Sequence, residues 1–312
     1  MQRRNILKSV MSVAALAGLM GAARGARAEK TGDERTRTPV RGSYIEARDG
    51  TELYWRSWGE GAPVLFVAAW GLPSDAWQYQ MIRLADEGLR CVAFDRRGHG
   101  RSTDPGQGYD IDTLADDIAG VIAALDLHDV TLVGHSLGCA EIVRYFSRHG
   151  AAKVKRVVLV APVTPFLTKT PDNPDGLDRT AAEAARTAFR HDFAGILDAN
   201  ARPFVMPDTS QATIAWIEAM MTRTSLKALV ECNRAVTEVD LRKELPEIGV
   251  PVLIVQGDAD MSAPLALTGR RTAALIPGST LKVYEGAPHG LIFTHVDRLN
   301  IDLLSFAGKR AT

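Results

Sequence analysis

Val130-Thr131-Leu132-Val133-Gly134-His135-Ser136-Leu137-Gly138-Cys139-Ala140 is an apolar, β-type run that passes through GHSLG into a helical pattern. A serine hydroxyl is a poor nucleophile until it is held clear of its surroundings beside a base, and a sharp strand-to-helix turn achieves the first of these. Gly134 and Gly138 flank Ser136 two residues away on each side, where strand and helix come too close for a Cβ. The stretch therefore reads as a nucleophile elbow. Its turn also sets the Leu137 amide at a helix N-terminus, where it can meet negative charge developing on a substrate oxygen.

The same alternation extends in both directions. Val64 to Ala69, Cys91 to Phe94, Val157 to Val160, Val252 to Val255 and Leu281 to Tyr284 are short, continuous apolar runs, the mark of strands buried on both faces. Amphipathic helical patterns lie between most of them: Asp75 to Glu87, Asp112 to Leu125, Leu137 to His149, Ala263 to Leu275 and Val296 to Phe306. Strand then helix, repeated, predicts an α/β fold with a mostly parallel sheet covered on both faces. Ahead of it, Ser43 to Ala47 and Glu52 to Trp58 alternate about the turn dipeptide Asp49-Gly50 and read as a hairpin. Residues 164–248 break the rhythm. They open with Thr170-Pro171-Asp172-Asn173-Pro174-Asp175-Gly176 and continue as helical patterns around Thr180 to Arg190, Ala212 to Met221 and Ser225 to Val236. We read them as a helical cap inserted over the C-terminal strand edge, where open α/β sheets carry their sites. Phe166, Phe204, Trp216, Met220 and Leu229 are the cap's candidate substrate-facing side chains, with core packing the simpler reading of each.

The N-terminus is read as a processing segment. Residues 1–28 hold Arg3, Arg4, Lys8, Arg24 and Arg27 and no acid; a twin arginine precedes an apolar stretch from Ser9 to about Ala23 and an Ala26-Arg27-Ala28 cleavage site. The apolar stretch falls short of the ~20 residues a spanning helix needs, so no stable membrane anchor is expected after cleavage near Glu29. Residues 29–41 read as a linker and 42–312 as the folded domain, working in the periplasm or outside the cell. The chain of 312 residues, 46% hydrophobic, is long enough for a substantial core. Its 37 basic and 37 acidic residues balance; without the first 28 residues 32 remain against 37, a net of −5. A mildly acidic chain carries no electrostatic footprint for nucleic acid. The three cysteines, Cys91, Cys139 and Cys232, form neither a disulfide framework nor a zinc spacing, so no metal or cofactor is expected.

A serine nucleophile needs a base, and the base needs an acid. Of seven histidines, His289 follows the last predicted strand in Glu285-Gly286-Ala287-Pro288-His289-Gly290. Asp258 and Asp260 both follow the strand before it. The order Ser, Asp, His, each on a loop at one sheet edge, is that of an α/β-hydrolase. His99, His128, His135, His149, His191 and His295 read as structural or surface groups.

From about Ser43 to Phe306 the chain resembles the α/β-hydrolase superfamily, in its esterase and non-haem haloperoxidase (perhydrolase) branch. The stretches that match are Asp95-Arg96-Arg97-Gly98-His99-Gly100-Arg101-Ser102, GHSLG, Asp172 to Gly176, Gly257-Asp258-Ala259-Asp260 and Glu285 to Leu291. That resemblance implies Ser136 as nucleophile, His289 as base and Asp260 as acid, with Asp258 capping its loop. By matching position it also implies Trp70 as the second oxyanion amide beside Leu137. The implied activity is hydrolysis of small aryl or alkyl carboxylic esters or lactones. Cofactor-free peracid formation is the family's second activity, and C–C bond hydrolysis or acyl transfer is a more distant alternative. Two departures stand out: Ala68-Ala69 replaces the His-Gly usual before the aromatic residue, and Gly71 follows Trp70 where haloperoxidase-like members commonly carry proline.

The export reading has a direct check. N-terminal sequencing of exported protein is expected to start at Glu29, and replacing Arg3 and Arg4 with Lys is expected to hold the protein in the cytoplasm; export of that variant at the normal level would refute the reading.

Overall fold

The computed structural model describes residues 40–309. The expected signal segment and nearly all of the expected linker lie outside them. Within the described residues, nine strands form one sheet in the order β1-β2-β3-β5-β4-β6-β7-β8-β9. Strands β1 (Val40–Arg41), β2 (Tyr44–Glu46) and β3 (Glu52–Trp58) run as an antiparallel meander, and β3 joins β5 (Leu89–Phe94) antiparallel. The linker drawn to Arg41 thus ends early, because Gly42 at φ 62° turns the chain and Val40 pairs with Ile45. From β5 onward the sheet is parallel: β4 (Ala62–Val67), β6 (Val130–His135), β7 (Val154–Val160), β8 (Val252–Gly257) and β9 (Thr280–Tyr284). Every residue of β6 and β8 is buried, as continuous apolar runs require.

Helices cover both faces, so the α/β-hydrolase arrangement read from the sequence is the observed one. α2 (Ile111–Ala124) and α3 (Leu137–His149) pack Leu114, Ile118, Ile142 and Val143 into one core. On the opposite face α1 (Gln78–Asp86) and α9 (Val296–Phe306) bring Met81, Leu84, Leu299 and Leu303 into a second. Between β7 and β8 come three helices, α4 (Arg179–Phe204), α5 (Gln211–Met221) and α6 (Leu226–Glu238), capped by the side chains of Asp178, Ser210 and Ser225. α4 extends well past the expected end at Arg190. It breaks at Asp192 (φ −152°, ψ 71°) and restarts, the Asp192 carboxylate accepting the Gly195 amide at 2.9 Å. Asp192, Gly195 and Pro203 conceal that second half in the sequence, since each weakens a helical pattern.

The next helix is instead shorter than its pattern: α7 is Gly269–Leu275, not Ala263 to Leu275. The amides of Ser262 and Ala263 go to the Asp260 carboxylate at 2.9 and 2.7 Å, which keeps this segment a loop. α8 (Leu291–Thr294) follows the β9 loop directly.

Close backbone approach binds the strand ends that carry the site. A Cβ on Gly138 would stand 2.4 Å from the Val67 carbonyl oxygen, and one on Gly257 would stand 1.8 Å from that of Ala287. Both contacts are backbone, with no flexible side chain to yield. Gly257→Ala should therefore destabilise the fold by about 3 kcal/mol, the upper end for overpacking, measured by urea unfolding; an unchanged midpoint would contradict the contact.

Candidate active site

Ser136 stands at φ 55°, ψ −113°, between the last residue of β6 and the first of α3. Such backbone costs of order 1–3 kcal/mol and persists only where its surroundings enforce it. Here Gly134 and Gly138 enforce it: a Cβ on Gly134 would lie 2.8 Å from the Gly138 carbonyl. The Ser136 amide donates to the Val160 carbonyl at 3.0 Å, tying the turn to β7.

Three sequence-predicted residues meet at this point. His289 Nε2 lies 2.9 Å from Ser136 Oγ, and His289 Nδ1 lies 2.7 Å from Asp260 Oδ2. The partners assign the tautomer: Nδ1–H donates to the carboxylate and Nε2 is the acceptor for the serine hydroxyl. Ser136, His289 and Asp260 are only 6%, 5% and 3% exposed, so the three groups meet largely out of water. Asp260 is anchored by the two amides of its own loop and by Gln256 Nε2 at 3.3 Å. Asp258 points elsewhere and accepts the Gly286 amide at 2.7 Å, bracing the turn that delivers His289. A hydroxyl, an imidazole and a carboxylate in this order can pass the hydroxyl proton to the ring as the oxygen attacks an electrophile.

Opposite Ser136, the loop after β4 brings Trp70 against the cap. Its ring lies 5.3 Å from Phe189 and 6.0 Å from Phe193, and its Nε1–H donates to the Leu229 carbonyl at 2.7 Å. Neither the Trp70 nor the Leu137 amide has an acceptor among the described residues, which leaves both available to an anionic oxygen. The left-handed turn of this loop falls at Gly71 (φ 74°), not at Ala68 or Ala69, so alanine there meets no conformational conflict. Of the five cap side chains singled out in the sequence, Phe204 reaches the site, with its ring 5.8 Å from His289 and its carbonyl accepting the Gly290 amide at 2.8 Å. Leu229 is buried behind Gly71. Met220 lies in the core, Trp216 packs on Phe293 and Tyr79, and Phe166 lies beneath Arg242.

Two histidines read as plain structural or surface groups turn out to hold the site's loops. His135, fully buried, has its Nε2 3.0 Å from the His289 carbonyl and its ring 5.1 Å from the His289 ring. Nε2–H is the donor in that contact, and Nδ1 has no partner among the described residues. Burial, with the charge of His289 adding to it, pushes His135 down to about 3, so the ring next to His289 stays neutral. His99 accepts the Gly71 amide at Nε2 (3.3 Å), and its Nδ1–H donates to the Arg97 carbonyl at 3.0 Å. Burial and the Arg96 charge push His99 down to about 3 as well. Neither role carries a local sequence signal, because each contact joins separate strand ends. Among the described residues no three His, Cys, Asp or Glu side chains converge as metal ligands.

Residues 62–296 match the sequence profile of the alpha/beta hydrolase fold. A non-heme chloroperoxidase of Kitasatospora aureofaciens is 40% identical over 272 residues, 84% of this chain and 98% of that protein. A bifunctional esterase/perhydrolase of Acinetobacter calcoaceticus is 36% identical over 273 residues, again 84% of this chain and 98% of its relative. Among solved structures, an esterase from Exiguobacterium antarcticum superposes with a TM-score of 0.83 at 30% identity, covering 86% of this chain and all of its own. With the profile spanning the whole parallel sheet and relatives aligned nearly end to end, this chain belongs to the α/β-hydrolase fold family.

Proposed function

We propose that the chain hydrolyses small carboxylic esters, aryl or alkyl, or lactones, with Ser136 as its nucleophile. The observation that carries this reading is the relay of Ser136, His289 and Asp260 at 2.9 and 2.7 Å, facing two unpaired amides. As Ser136 Oγ attacks the ester carbonyl, His289 Nε2 takes its proton and Asp260 stabilises the imidazolium. The Trp70 and Leu137 amides receive the oxyanion. His289 then returns the proton to the leaving alcohol, and water resolves the acyl-enzyme by the same steps in reverse. Phe189 and Phe193 line the Trp70 ring and Phe204 lies against His289, an aromatic setting that suits compact and aryl groups better than long chains. Export of the folded enzyme belongs to the same proposal and rests on Arg3, Arg4 and the apolar stretch after them.

Perhydrolysis is the second reading, favoured by what the chloroperoxidase and esterase/perhydrolase relatives are named for. There hydrogen peroxide replaces water as the group that attacks the acyl carbonyl; the bond to Ser136 Oγ breaks, the oxygen regains a proton through His289, and the acyl group leaves as a peracid. We rank it second because Gly71 holds φ 74°, a conformation closed to the proline that haloperoxidase-like members commonly have there.

A p-nitrophenyl ester chain-length series with a lactone panel, run beside peroxide-dependent bromination in acetate buffer, tests the ranking. Short esters are expected to dominate, and bromination as the larger activity would reverse the order. Ser136→Ala should lower kcat by about a millionfold; turnover at the wild-type rate would end the serine reading. Asp260→Asn, which strands His289 in the wrong tautomer, should cost about 10⁴ in kcat. Asp258→Ala, which removes the acceptor of the Gly286 amide, should cost only about 1 kcal/mol of stability, and the reverse pattern would exchange the two roles.

A further inference from the structure

Arg96 and Glu141 form an ion pair buried at both ends. Arg96 leaves the end of β5 at 3% exposure, and Glu141, fully buried, sits one turn into the helix whose first amide is Leu137. Arg96 Nε donates to Glu141 Oε1 at 2.6 Å, while Nη2 donates to the Ala68 carbonyl at 2.6 Å and Nη1 to the Ala69 carbonyl at 3.2 Å. One rigid guanidinium thus spans the two structures that supply the proposed oxyanion amides: α3 for Leu137 and the post-β4 loop for Trp70.

We propose that Arg96, held by Glu141, is a positioning residue that aims the Trp70 amide into the oxyanion hole. The physical reason lies in the peptide unit. The Ala69–Trp70 peptide is planar and trans, so its N–H points opposite to its C=O. Arg96 shares the Ala69 carbonyl with the Leu72 amide, each at 3.2 Å, which leaves the Trp70 N–H on the other side of that peptide, and its shorter hold on Ala68 fixes the preceding peptide plane. Released from Arg96, the Ala68 carbonyl would be buried without that donor and the loop would turn to find another.

The composition of the pair agrees with a positional role. Buried ion pairs are weak contributors to stability, and this one is not optimised for it: Glu141 Oε2 has no partner among the described residues. Burial, against the pull of Arg96, pushes the Glu141 carboxyl up to about 7. What the ions do that Met and Leu would not is hold two carbonyls in one orientation.

The inference rests on the ester-hydrolase reading, and the test separates the two. Wild type and Ser136→Ala are assayed first with p-nitrophenyl acetate; equal rates overturn that reading and the inference with it. Next, Arg96→Met/Glu141→Leu removes both charges at similar volume. We expect a folded protein by circular dichroism with kcat lowered about a hundredfold, KM within threefold, and affinity for an aryl trifluoromethyl ketone lowered in step with kcat. Loss of stability alone would leave kcat and inhibitor affinity per folded molecule unchanged. Arg96→Lys keeps the charge facing Glu141 but lacks the planar fork, and should lose about tenfold in kcat; it decides the matter if the double variant does not fold. A folded double variant with kcat and inhibitor affinity within threefold of wild type overturns the inference, as does a Lys variant with wild-type kcat where the double variant is unfolded.

Discussion

The site depends on one steric constraint, the approach of the α3 backbone to β6 and β4 at Gly134 and Gly138. With no Cβ on either glycine, the turn is tight enough to hold Ser136 at positive φ with its hydroxyl toward His289. The strain at Ser136 is small beside the burial that enforces it: β6 is enclosed on both faces and α3 buries Leu137, Ile142, Val143 and Phe146. A second approach of the same kind, Gly257 against Ala287, sets the Asp260 loop beside the His289 loop. The proposed nucleophile and its two partners are therefore located by backbone contacts, which side-chain motion does little to disturb.

Around that frame lies a set of polar ties on the loops themselves. Asp95, wholly buried, accepts the Ser74 amide at 2.7 Å and the Arg101 amide at 2.8 Å, bracing the segment that follows the Trp70 loop. His99 holds Gly71, Arg96 holds Ala68 and Ala69, and His135 holds the His289 carbonyl. Both of these histidines are driven neutral by burial, so neither sets a charge beside His289. Preorganisation of this kind is what electrostatic stabilisation of an oxyanion requires, because donors that must reorient during reaction lose most of their effect.

The helices between β7 and β8 bring aromatic side chains to the same loops. Phe189 and Phe193 lie on either side of the break at Asp192, and both meet Trp70. Phe204, at the end of the same broken helix, meets His289 instead. One helix thus touches both the proposed oxyanion loop and the proposed base, so the surroundings of both follow how that helix seats.

Much of this was legible in the residues. The elbow at Ser136, the strands around it and the order Ser, Asp, His follow from periodicity and from glycines at fixed spacing, which are short-range properties that any chain segment carries with it. The residues alone left Asp258 and Asp260 open; resemblance to a family favoured the second, and only the folded loops set Asp260 against His289 and turned Asp258 to Gly286. The contacts of His99, His135 and Arg96, the late start of α7 at Gly269 and the second half of α4 that carries Phe204 were likewise seen only in the folded structure. The contacts of His99 with Gly71, of His135 with His289 and of Arg96 with Ala68 depend on where strand ends far apart in sequence come to rest, and local pattern does not encode that distance.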